Sequence, residues 1–427
     1  MPLSLKKLAY TLLFLLVSPT LLAAIHPARH LEVTTVSGAE LPKLLNKPAK
    51  NYSLLAVNNG SLTPIPYQFD DINIRDLTYV PGGKLAVKGK EGIFEAEDHL
   101  VFMYKDMSTK ARPEQLKAIE GKLISTLEIA EDGMQRFAYI FEGNPQRSDK
   151  HYVHYNVETG FVDAESYYMQ IDPNNITVWE GINIKGFTGT PSAPNVMDGM
   201  KARLTAKMGF FKATLHNAIL PINTIAIKNG PVRSIVESDM SISLFGIHLV
   251  QAGISTTFTA QSIEYPIFLS LPKAGKALSA FSIAITLDFV DLEGSRYRTA
   301  LGPETSLITG NKKFKKTVDE YTIDLENPWT AISTGKNLDL IFIYTNNEEF
   351  KPKLNAPYLD AAFGDKSNTP ERIEGSSPEF GLRISELAFG SDAVINFNGY
   401  FGPGLWQGNK PGESANRILN PAKVIVH

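Results

Sequence analysis

Cysteine is absent from the 427 residues. That absence removes disulfides, cysteine-ligated metal sites and lipid attachment at a cysteine. Histidine is sparse, at 8 residues, so few imidazoles are available as general bases or metal ligands. HExxH, GxSxG and Gly-x4-Gly-Lys-Ser/Thr are all missing. The common zinc-hydrolase, serine-hydrolase and nucleotide-phosphate solutions therefore have no sequence support, although a dispersed triad would leave no such trace. Charge of one sign is lacking too: the formal net charge is −3. So small a balance gives no reason to expect nucleic acid or an overall pull toward an anionic membrane. Nothing in these residues implies a metal or a cofactor.

Long apolar runs are missing except at the start. MPLSLKK carries two lysines and no acid, LAYTLLFLLV is a short apolar run, and SPTLLAA ends in small residues. This is the layout of a signal peptide, residues 1–24, with cleavage near Ala23 or Ala24; the alternative is an N-terminal anchor, against which the short run and Pro19 weigh. Losing Lys6 and Lys7 with the leader would take the formal charge from −3 to −5. The sequence therefore predicts a periplasmic or secreted protein, held without disulfides by its core alone. Hydrophobic residues are 43% and charged residues 20% of the chain, the composition of a folded globular protein.

What is present is mostly a period of two. Tyr52 to Val57 reads as a strand, NNG at 58–60 as a hairpin turn, and Leu62 to Phe69 as the return strand, pushed to an edge by Pro64 and Pro66. Similar runs follow at 99–104, 123–129, 137–141, 152–157, 166–171 and 177–182. In the second half they lie at 224–228, 241–250, 255–260, 281–290, 338–344, 380–384 and 393–401. Residues 111–121 are the main helix candidate. The expected fold is mainly β, a large antiparallel β-sandwich with few short helices. A boundary falls in GFTGTPSAPNVMDG, dividing residues 25–195 from 196–427, with both regions expected to pack as one supersandwich. GNKKFKKTVDE (310–320) reads as a solvated loop and 357–380 as a long polar connection.

Several clusters are candidates for chemistry. DDINIRD (70–76) sets oxygen donors at short spacing, but Asp76 occupies the sixth position where an EF-hand needs Gly, and Gly82 the twelfth where it needs Glu. A turn with solvated carboxylates is the plainer reading. In HYVHY (151–155), His151 and His154 point to opposite sides of a strand and cannot share a metal. Tyr152, Tyr155, Tyr167, Tyr168 and Trp179 are either core residues or stacking platforms for sugar rings. FGIHLVQAGI (245–254) and the apolar run 278–290 could line an apolar-ligand pocket, or simply be core.

Three islands stand in order: IPYQFDD (65–71), EDHLVFMYKDM (97–107) and NGPVRSIVE (229–237). They resemble a signature of exported bacterial β-sandwich proteins, PYQxDD, then DELVF, then GPVR, found among polysaccharide-utilisation proteins and remotely like galactose mutarotase. The resemblance implies a β-supersandwich and a carbohydrate context. It carries no catalytic pair over, because no matching His and Glu are recognised. The stretch between the first two islands is longer here and looks like an extra hairpin. On the islands themselves, Leu100, Phe102 and Tyr104 alternate with Val101, Met103 and Lys105, so that strand should be covered on both faces.

The candidate ligand-binding residues are Gln68, Asp70, Asp71, Trp179, Arg233 and Glu237, as a polar and aromatic lining for an oligo- or polysaccharide. The competing expectation is a non-enzymatic accessory protein of an envelope transport or assembly system, with a protein partner.

Overall fold

In a computed structural model, the residues described are 25–189, 195–290, 292–302, 306–308, 322–347, 352–359 and 379–427. The leader (1–24), the basic stretch 310–320 and residues 360–378 of the polar connection lie outside them. The described residues are mainly β, 53% strand and 10% helix, and their body is a large antiparallel sandwich, as the strand pattern implies.

Two sheets make that sandwich. The ten-stranded one begins with the meander Val153–Tyr155, Phe161–Ala164, Tyr167–Asp172, Asn175–Ile184, and continues through Met197–Met208, Ala280–Phe289, Glu379–Ser385 and Lys353–Asn355. The nine-stranded one runs Ile222–Asn229, Ser234–Leu244, Ile247–Phe258, Ser262–Leu271, Ser391–Gly402, Asp339–Asn346, Trp329–Ser333, Arg296–Thr299 and Ser306–Leu307. Their inward residues form one continuous core, with Tyr167, Trp179 and Met200 from the first sheet against Ile254, Tyr265 and Phe397 from the second. Residue 195 lies between two neighbouring strands of the ten-stranded sheet, which pair at Ile182 and Met197. The Gly- and Pro-rich stretch thus connects strands of one sheet.

Residues 33–142, joined by Ile425–Val426, build two smaller sheets and the short pair Lys47–Pro48 with Ile93–Phe94 around a core of their own. One is five-stranded, in the order Ile425–Val426, Lys122–Glu131, Met134–Glu142, Tyr52–Asn58, Ser61–Pro64. The other places His99–Met103 between Val33–Ser37 and Tyr67–Asp70. The two-faced strand behaves as its sequence suggests: Leu100 and Phe102 enter the small core, while Val101 and Met103 pack with Tyr152, Val232 and Ala260 of the sandwich. Pro64 and Pro66 have a further consequence. The expected return strand 62–69 is two strands in different sheets, broken at Ile65 and Pro66, because proline cannot supply the N–H that a continuous ladder needs.

Other expectations shift at their ends. The helix candidate 111–121 is only Pro113–Lys117. The helix Pro411–Leu419, which the sequence reading missed, covers the outer side of Ile341 and Ile343 together with Trp329 and Trp406. Arg29 ties this corner together, with Glu131 and Glu32 on its guanidinium and the Arg417 carbonyl accepting at 2.7 Å.

The largest local surprise lies in the expected strand 241–250. The chain turns back at Phe245–Gly246, with Leu244 opposite Ile247 and φ of 54° and 76°. Two other two-residue hairpins in this chain use Asn59–Gly60 and Asp132–Gly133 in the same positive-φ pair, the residues that tolerate it. A phenylalanine there costs about 1–3 kcal/mol of backbone strain, and it hides a turn from any reading of periodicity. Phe245→Asn should therefore raise stability by about 1 kcal/mol, measured as a rise in the denaturant midpoint at unchanged m-value.

Candidate functional site

The three sequence islands meet at the seam between the small sheets and the sandwich. Asp70 ends the strand Tyr67–Asp70 and is 0% exposed. Its carboxylate receives Lys228 Nζ at 2.7 Å and Arg233 at 2.6 Å (Nη2) and 2.8 Å (Nε). Gln68 lies two residues earlier on the same strand face. Its Nε2 donates to both Asp70 oxygens, and its Oε1 accepts the backbone N–H groups of Val232 and Arg233 at 3.1 and 3.0 Å. Gly230 makes the approach possible: a Cβ there would stand 2.2 Å from Gln68 Oε1. The remaining Arg233 Nη2 valence reaches Thr78 Oγ1 at 3.0 Å.

This is a clamp, with every strong donor and acceptor of Asp70 and Gln68 used inside the protein. Burial alone would raise the Asp70 carboxyl, but Arg233, Lys228 and the Gln68 amide outweigh it and hold it at about 2, below the ordinary 3.8. Beside it burial, aided by Arg233, lowers His99 below the ordinary imidazole value. Asp98 behaves oppositely. Burial pushes it up to about 6 even though it accepts the N–H groups of Ile72 and Glu95. Burial also raises Glu264, whose carboxylate neighbours Arg233 and bonds with Ser262 and Tyr400.

Asp71, next in sequence, points the other way. It accepts the Gly92 N–H at 3.0 Å and so closes the base of the 71–92 segment. That segment, expected as a hairpin, is a compact loop with only the isolated bridges Ile72–Thr78 and Asn73–Val87. The Asn73 side chain fills the place of a ladder, accepting from Arg75 N–H and Leu77 N–H. Val80 packs on Ala226 and Ile235, and Lys84 pairs with Asp239 while its N–H donates to Glu237 Oε1 at 3.1 Å.

The loop therefore roofs part of the outer face of the nine-stranded sheet and leaves an open cleft of about 550 Å³. Arg75, Thr78 and Lys84 line it from the loop. From the sheet come Glu237, Asp239, Gln251, Ser255, Phe268, Ser270 and Asp392. These are the outward residues of four adjacent strands: Asp239 is opposite Gly253, Gly253 opposite Phe268, and Ser270 opposite Asp392. Gly253 keeps the floor clear, since a Cβ there would meet nothing within 4 Å.

Of the sequence candidates, Gln68, Asp70 and Arg233 come together in the clamp, Glu237 lines the cleft, and Asp71 anchors the loop. Trp179 is distant from all of them. It lies between the two large sheets, its Nε1 donating to Ile176 O at 2.8 Å, edge-on to Tyr265. The cavity beside it is apolar and about 40 Å³, far below the ~150 Å³ that admits a ligand the size of benzene, so no apolar ligand of that size fits there. His151 and His154 are both exposed. Among the described residues no three His, Asp or Glu side chains form a metal-binding group, and no helix is long and apolar enough to cross a membrane.

No protein-family model and no curated protein matches the chain. Solved structures similar to it include a glycosyl hydrolase family 38 protein from Enterococcus faecalis (8% identity, TM-score 0.47, covering 93% of this chain and 46% of that one). An α-mannosidase from Enterococcus faecalis V583 has 9% identity and a TM-score of 0.46, over 93% and 44% of the two chains. A galactose 1-epimerase from Lactobacillus acidophilus NCFM has 9% identity and a TM-score of 0.33, over 66% of this chain and 100% of its own. The chain spans less than half the length of the first two.

The clamp predicts two outcomes. Asp70→Asn leaves Lys228 and Arg233 without their counter-ion and should cost about 3–5 kcal/mol, read by chemical denaturation. Because the folded carboxyl lies below its unfolded value, Asp70 contributes stability above pH ~4 that is lost as pH falls toward 2, about 2 kcal/mol in all. Unfolding measured across that window should show a loss in the native protein that is absent in Asp70→Asn.

Proposed function

We propose that the protein is exported and binds a neutral oligo- or polysaccharide in the cleft between the 71–92 loop and the nine-stranded sheet. The signature islands, which resemble those of exported bacterial β-sandwich proteins, support this reading. The observation that carries the proposal is the cleft floor. Gln251, Ser255, Ser270 and Asp392 offer hydrogen-bonding groups on adjacent strands around the half-buried Phe268 ring and the vacant side-chain position of Gly253.

The chemistry selects among ligands. Three carboxylates, Glu237, Asp239 and Asp392, face the cleft against Arg75 and Lys84, and Lys84 is already paired with Asp239. An anionic chain would meet net repulsion. A sugar matches the lining instead, because its hydroxyls both donate and accept while its C–H face rests on an aromatic ring.

Gly253→Val tests this directly. The new Cβ has nothing within 4 Å and valine suits a strand, so the melting temperature should hold or rise. Binding of neutral oligosaccharides, followed by calorimetry or thermal shift, should be lost. Asp392→Ala should weaken it about tenfold, the worth of one good hydrogen bond. Binding that survives Gly253→Val, or no response to any neutral glycan, would remove the cleft from consideration. For export, the processed protein should begin at Ala24 or Ile25 by N-terminal sequencing.

A further inference from the structure

We propose that one end of the sandwich docks on an anionic lipid surface through Phe210, Phe211 and Phe245. The three belong to two hairpin tips, one from each large sheet. Met197–Met208 turns into Phe211–His216 through Gly209 and Phe210, and Ser234–Leu244 turns into Ile247–Phe258 through Phe245 and Gly246. The tips converge: the Phe211 and Phe245 rings lie 6.4 Å apart. They are also uncovered, with Phe210 104%, Phe211 68% and Phe245 36% exposed. Scattered single apolar residues on a surface need no explanation, but a cluster of aromatic rings on projecting turns does.

Two features of this end oppose its own stability. Phe245 takes a left-handed backbone where the other positive-φ hairpin pairs among the described residues use Asn59 or Asp132, and the residue stays 36% exposed. Lys207 and Lys212 stand directly opposite each other across the first hairpin, both exposed, a like-charge pairing that weakens a sheet. Each is unfavourable in isolation and favourable against a surface that accepts rings and carries negative charge.

The neighbouring turn Lys273–Ala277 adds two more exposed lysines, Lys273 and Lys276. It is held at this end by the Ser279 N–H, which donates to the Lys207 carbonyl at 2.8 Å. No Asp or Glu occurs in residues 207–212, 244–248 or 271–280. The adjoining turn brings one carboxylate, Glu386, 3.9 Å from Lys353. Projecting aromatic tips ringed by lysines fit the boundary of an anionic leaflet, where rings enter the acyl region and ammonium groups meet headgroups. The overall charge of −3 makes this attraction local.

The test is flotation of the full chain with vesicles of phosphatidylcholine alone and of phosphatidylcholine containing phosphatidylglycerol. Binding is expected to the second and to weaken with salt. The triple variant Phe210→Ser, Phe211→Ser, Phe245→Asn should lose roughly tenfold or more of it. Lys207→Glu with Lys212→Glu should abolish the preference for the anionic vesicles. Phe245→Asn alone, which favours the fold, guards against loss through unfolding. No binding to either vesicle, or binding indifferent to these substitutions, overturns the proposal. So does concentration-dependent dimerisation in sedimentation velocity that the triple variant removes while vesicles stay unbound, since it would assign the patch to a second copy.

Discussion

One buried carboxylate organises the junction on which the rest depends. Asp70 has no access to water, and a carboxylate so placed is tolerable only if its charge is answered on all sides. The answer comes from the other body of the protein: Lys228 and Arg233 lie on or beside strands of the large sandwich, while Gln68 holds the backbone of the turn that carries Arg233. A paired buried ion of this kind adds little net stability over an apolar pair, yet breaking it by removing one partner is costly. It sets the small sheets at one position against the large ones, and the loop that starts at Asp71 is placed with them.

The cleft thus forms where two parts of the protein meet. Its floor is a sheet whose inward side chains are fully committed to the core, so its outward ones are free to differ in chemistry. Its roof is a loop without regular structure, held by Asn73 and by contacts to Glu237 and Asp239. These carboxylates serve the architecture as well as the lining, and the groups free for a ligand are mainly Gln251, Ser270 and Asp392 on the open side.

Most strands were legible because alternation survives translation into a sheet: Tyr52–Asn58, Ala280–Phe289 and Asp339–Asn346 begin and end within two residues of their sequence readings. Met197–Met208, Ser262–Leu271 and Trp329–Ser333 escaped the reading altogether, and other failures came where a side chain opposed the local rule. Phe245 concealed a turn, and two prolines moved the chain between sheets where one strand was expected. The convergence of Gln68, Asp70 and Arg233 was suggested only by co-occurring islands, and their chemistry, a closed clamp, depends on burial that spacing does not encode. The cleft left fainter traces. Asp239, Gln251, Ser270 and Asp392 occupy the polar phase of four strands, but only pairing reveals that these phases face one way. Trp179 shows the converse limit, since a tryptophan among neighbouring tyrosines reads as platform or as core.

The edge strand Ile425–Val426 carries a consequence for how the molecule is assembled. It completes the five-stranded sheet by pairing with Lys122–Glu131, and His427 meets Glu128 across a separation of 299 residues. Vectorial synthesis delivers that sheet's partner long after its other strands. Until then Lys122–Glu131 presents an unpaired edge, the kind of surface on which chains recruit one another. Closure of the five-stranded sheet therefore waits on a segment 299 residues further along the chain, and the interval between them is when a nascent chain of this design is most exposed to misassociation.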